Sequence, residues 1–152
     1  MKKISLLLFL FLTVNFANSQ SKLFTIKDSV NSKGESAILF FFPDATVETG
    51  MKLWEDHIEE LSKEDPVIDG FFIQTPGVKF EEPLGGPFSS STEFVQQRNG
   101  LDVFFVFKDT TQKIVSNPQD QRHLLIEKKL MHFVSNILVL QYEKRIDQEE
   151  EA

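Results

Sequence analysis

The chain has 152 residues, with 16 basic and 23 acidic side chains, a formal charge of −7 and no cysteine. A net acidic chain without clustered Lys and Arg is a poor match for nucleic acid or anionic lipid, which need cations to neutralise phosphates. The missing thiols exclude disulfides, thiol catalysis and thiolate metal sites, so stability must come from packing, and sixteen Phe indicate where.

The N-terminus, "MKKISLLLFLFLTVNFANSQ", places Lys2 and Lys3 before an apolar run of 11 residues, 4–14, followed by small residues at Ala17 and Ser19. That pattern reads as a secretory signal peptide cleaved before Gln20, since a bilayer span needs about 20 residues. Removing residues 1–19 leaves 133 residues with 14 basic and 23 acidic side chains, a charge of −9, and a size for one domain. The reading divides the chain into signal peptide 1–19, N-terminal segment 20–36, domain 37–146 and acidic tail 147–152. The mature protein is expected to be exported, periplasmic or extracellular, and soluble, with no membrane span after cleavage.

Within the N-terminal segment, Leu23, Phe24 and Ile26 suggest a short edge strand and "NSKGES" a turn. Residues 37–42, "AILFFF", read as a strand buried on both faces. Met51, Trp54, Ile58 and Leu61 share one face of a helix ending near Glu64. "GFFIQ", residues 70–74, reads as a second strand, and strand–helix–strand order predicts parallel pairing through a crossover. Residues 75–91, rich in Pro, Gly and Ser, read as a long loop. Ser90 and Glu93 form a capping-box pattern that predicts a short helix closed by Asn99 and Gly100. Residues 101–108 and 113–116 read as a β-hairpin. Asn117 and Pro118 then open the last helix, with Ile126, Leu130, Phe133, Ile137 and Leu140 on one stripe.

That element order resembles the thioredoxin-like fold. "AILFFFPDATVET" is similar to the family's first core strand and turn, and "QRNGLDVFFVFKDTTQKI" to its helix end, third strand and hairpin. The resemblance covers about residues 37–140, and "FFFPDAT" also resembles the strand and turn of peroxiredoxins. It implies an α/β, three-layer β-α-β-α-β-β-α sandwich around a central mixed sheet. On that pattern Thr46 and Thr49 stand where the two redox cysteines would be, and Leu101 or Asp102 where active members carry a cis-proline. A threonine hydroxyl has no accessible anion near neutral pH and forms no disulfide. The resemblance therefore implies a redox-inactive member of the fold.

Asp44, Thr46, Glu48, Thr49 and Asp102 are the candidates for a small pocket at a helix N-terminus, against simple capping by Thr46 or Thr49 with Glu48 favouring the dipole. Phe80, Leu84 and Phe88 in the long loop are binding hooks or a lid over the core. Met131, Val134 and Leu138, with Leu124, form a second apolar row on the last helix, a candidate interface. The expected function is an exported protein- or peptide-binding module, with self-association as an option and without catalytic residues, metal or cofactor. The alternatives are a cysteine-independent hydrolase or metal-dependent enzyme using Asp44, Glu48 and His57, and a carrier of a small apolar ligand.

Overall fold

A computed structural model describes residues 24–150. The signal-peptide reading of residues 1–19 falls outside them. The described residues form β1 (Thr25–Val30), β2 (Ser36–Pro43), α1 (Val47–Leu61), β3 (Val67–Asp69), β4 (Phe72–Val78), β5 (Phe88–Gln97), β6 (Gly100–Lys108) and α2 (His123–Glu150). The strands make one six-stranded sheet in the order β1-β2-β6-β5-β4-β3, and every neighbouring pair is antiparallel.

Alternation along each strand separates two faces. Ile38, Phe40 and Phe42 of β2, Leu101, Val103, Phe105 and Phe107 of β6, Phe88 and Phe94 of β5, and Ile73 and Val78 of β4 are buried under the two helices. Trp54 of α1 is the keystone. Its ring meets Phe105 at 4.8 Å and Phe133 of α2 at 5.0 Å between centroids, both edge-on. Edge-to-face pairs of this kind add about 0.5–1.5 kcal/mol beyond area burial. Gly50 lets α1 approach β5 and β6, because a Cβ there would collide with Leu101 and sit 3.5 Å from Phe94.

The structure corrects the expected fold class. The sheet is antiparallel throughout and carries both helices on one face, a sheet-dominated two-layer arrangement rather than a thioredoxin-like sandwich with a mixed sheet. β2 and β4 are not neighbours, since β6 and β5 lie between them. An apolar run such as β2 suits a parallel strand between two helical layers. Here Ala37 and Leu39, on the face without helices, are buried too, at 0% and 5% exposure.

The helix expected from Ser90 is strand β5. Ser90 and Glu93 mimic a capping box, but Phe88, Ser90, Thr92 and Phe94 alternate inward and Ser90 and Glu93 face opposite sides of the sheet. The two-residue turn Arg98–Asn99 joins β5 to β6, with Gln97 opposite Gly100. The long loop shrinks to residues 79–87, because β4 continues to Val78 with a register shift after Thr75 and β5 begins at Phe88. The hairpin expected at 113–116 is reduced to a single bridge, Lys108 to Ile114. Asn117 organises a turn, accepting the Gln119 N–H on its side chain and the Asp120 N–H on its carbonyl, and α2 starts only at His123.

α2 has 28 residues, about 42 Å at 1.5 Å per residue. Its start is anchored by charge. Arg122 donates to both oxygens of Asp120 at 2.9 Å and to Asp109 at 3.0 Å, and Lys113 pairs with Asp120 at 2.8 Å. His123 then ties α2 to β1, with Nε2 3.0 Å from Asp28 and Nδ1 2.9 Å from the Ser116 carbonyl. Among the described residues, no helix is long and apolar enough to cross a membrane.

Candidate functional site

The face of the sheet that carries no helix is partly roofed by the β1–β2 turn. Asn31, 5% exposed, builds that turn: its Oδ1 accepts the backbone N–H groups of Lys33 at 3.1 Å and Glu35 at 2.9 Å, and its Nδ2 donates to Glu35 at 3.2 Å. A side-chain oxygen taking two backbone donors is the strong form of an Asx turn. Gly34, at φ +79°, supplies the left-handed residue that closes it.

The turn folds back across β6. The Ser32 N–H donates to Glu93 Oε2 on β5 at 2.9 Å, and Lys33 Nζ lies 4.1 Å from the centre of the Phe72 ring on β4, a cation–π contact. Glu35 forms an ion pair with Lys108 at the end of β6. Burial opposes ionisation of Glu35, but hydrogen bonds from Lys108 and Asn31 and the charges of Lys108 and Lys33 outweigh it and hold the carboxyl below its ordinary range.

Between turn and sheet lies a cavity of about 370 Å³, whose walls include Lys33, Lys108, Gln74, Gln112, Ser89 and Ser91. Val67 and Val106 add apolar surface. Ser91 Oγ is buried there without a hydrogen-bond partner. Ammonium, amide and hydroxyl groups on a small apolar floor can orient a polar ligand.

The residues expected to form a pocket at the first helix do something else. Thr46 is the N-cap of α1, accepting the Thr49 N–H at 3.3 Å and donating to the Thr49 hydroxyl at 3.1 Å. Glu48 stands in the first turn, where a carboxylate favours the helix dipole. Gln96 fills the space around that N-terminus, accepting the Val47 N–H and donating to the carbonyls of Ala45 and Gly100. Asp102 accepts from Gln97 at 2.7 Å on the opposite face of the sheet. Asp44 lies in the β2–α1 turn at φ +62°, its N–H bonded to the Asn99 carbonyl. His57 is nine positions beyond Glu48 on α1, about 13 Å along the axis, so Asp44, Glu48 and His57 do not converge.

Apart from Leu124, the expected interface residues lie in the core or at its margin. Phe80, Leu84 and Phe88 are 7%, 7% and 4% exposed, and the Phe80 ring packs against Phe107 at 5.6 Å, which makes the 79–87 loop a lid. Val134 is fully buried, and Met131 and Leu138 pack against the core from its margin. The exposed apolar residues of α2 are Leu124, at its start, and Val139, Leu140, Tyr142 and Ile146, toward its far end.

A second cleft, of about 300 Å³, opens between α1, α2 and the lid, with His57, Glu60, Glu81, Lys129, His132 and Asn136 on its walls. Burial lowers the His57 pKa, Glu60 opposes the shift and the nearby His132 adds to it. Among the described residues no three His, Asp or Glu side chains are grouped to hold a metal ion.

Of the open-face site, the sequence reading reached only the turn: "NSKGES" has the composition of a turn, and an Asn four residues before Glu35 is the local signal for it. No protein-family model matches the chain, and no curated protein or solved structure shows significant similarity to it.

Proposed function

We propose that this protein is an exported, non-enzymatic binding module that takes a segment of a protein or peptide in the cavity on the open face of its sheet. The observation that carries this reading is the roof over that cavity: a turn held rigid by Asn31 and fastened to β5, β4 and β6 through Glu93, Phe72 and Lys108. Rigid polar groups around a concave site lower the ordering cost of binding. Export is supported by the pattern of residues 1–19, and redox inactivity by a sequence without cysteine. The scatter of Asp44, Glu48 and His57 favours binding over the hydrolase or metal-enzyme alternative.

A peptide-display selection against residues 20–152 tests the reading. Selected peptides should bind the parent and lose binding to Gln74→Trp, which fills the cavity from an exposed strand position. Peptides that bind both proteins equally would place recognition elsewhere and reject the cavity as the site.

A further inference from the structure

We infer that the ligand group this cavity selects is a peptide's C-terminal carboxylate together with the amide that precedes it; the inference rests on the binding reading above. Two lysines, Lys33 and Lys108, line the cavity in a chain whose net charge is −7. They are held differently. Lys108 is fixed by Glu35, whose other oxygen is taken by Asn31, so that carboxylate is already committed and Lys108 keeps donors to spare. Lys33 forms no ion pair among the described residues, and its ammonium rests on the Phe72 ring. Glu35 and the buried Glu93, which takes the Ser32 N–H beneath the same turn, balance the two Lys charges, so a ligand meets the spare donors of Lys33 and Lys108 and not a net positive charge.

Hydrogen-bonding capacity points the same way. Lys33 and Lys108 can only donate, Gln74, Gln112, Ser89 and Ser91 can donate or accept, and each oxygen of the one carboxylate on the wall, Glu35, already accepts a hydrogen bond. The two donor-only lysines suit a ligand that brings acceptors, and charge-assisted bonds to a carboxylate are about twice as strong as neutral ones. The buried, unpartnered Ser91 hydroxyl gives a ligand oxygen or amide a partner away from water. Size favours a terminus: about 370 Å³ is at the small end of ligand sites, which run from roughly 300 to 1,000 Å³.

Three peptide probes test the inference by amide NMR titration of residues 20–152. N-acetyl-Gly-Gly ends in a free carboxylate, N-acetyl-Gly-Gly-amide is its neutral counterpart, and N-acetyl-Asp-amide carries its charge on a side chain. The first should shift Ser89, Ser91 and Val106 saturably and bind about tenfold more tightly than either other probe. Lys33→Gln, at an exposed turn position, should weaken the free-carboxylate probe more than the neutral one and so remove most of that preference. Equal binding of the acid and its amide at these residues would overturn carboxylate selection while leaving the binding reading standing. Tighter binding of the Asp probe would overturn the choice of a terminus. Failure of every probe and of the selected peptides to shift these residues would overturn both.

Discussion

Lys108, at the end of β6, and Glu35, just before β2, are 73 residues apart in sequence and joined by an ion pair that fastens the β1–β2 turn to the sheet. The pair is partly shielded, with side-chain exposures of 28% and 20%. Its geometry depends on Asn31, which holds Glu35 by both backbone and side chain. The turn is thereby a roof and not a loose hairpin end.

Asn31→Ala should loosen that roof. The substitution strands the Lys33 and Glu35 N–H groups and releases the Glu35 carboxylate. Buried polar groups that lose a partner cost about 1–3 kcal/mol. Urea unfolding should show a loss in that range, and the Ser32 amide, now donating to Glu93, should exchange with solvent faster than in the parent.

Acid should release the start of α2. The Thr111 hydrogen bond, with Arg122 and two backbone N–H groups, outweighs burial and holds the Asp109 pKa at about 2. Arg122, aided by Lys113, overcomes burial and holds Asp120 lower still. Both folded-state values lie below the unfolded carboxylate value of about 4. Their contribution to stability is therefore complete above about pH 4 and is lost as pH falls through the folded-state values. Asp120→Asn should lower the thermal midpoint at pH 7 and flatten its dependence on pH between about 4 and 2, measured by circular dichroism.

The elements that could be read from the sequence are those whose signal is local. The stripe of Met51, Trp54, Ile58 and Leu61 marks α1, and the apolar runs at 37–42 and 101–108 mark β2 and β6. β5 was hidden because Ser90 and Glu93 imitate a helix start, and only cross-strand partners reveal their opposite faces. Strand order was also out of reach. β2 is apolar on both faces, a pattern shared by parallel strands between helices and by an antiparallel strand whose second face is buried. The site depends on contacts such as Ser32 with Glu93, 61 residues apart, which no periodicity encodes.

Val134→Asp and Val139→Asp should behave as opposites. Val134 is fully buried, and Val139 is 55% exposed. A carboxylate at 134 has no partner in the core and should cost more than about 4 kcal/mol, enough to unfold many domains of this size. At 139 the change should stay within about 0.5 kcal/mol. Denaturant curves of both variants check the assignment of the 131–138 row to the core.

Thr46→Ala should remove the cap of α1, which satisfies the Thr49 N–H, and cost about 1 kcal/mol. Since this terminus lies away from the open-face cavity walls, peptide affinity should be unchanged when measured well below the unfolding transition.

The central claim, that ligand sits under the Asn31 turn, is tested most directly by mapping backbone amide shifts on adding a display-selected peptide. The account predicts shifts concentrated at residues 32–35, Gln74, 89–91 and 106–108, where the turn and the cavity walls meet. Shifts concentrated instead along Val139, Tyr142 and Ile146 of α2, or around Phe71 beside β3, all exposed apolar positions, would contradict it.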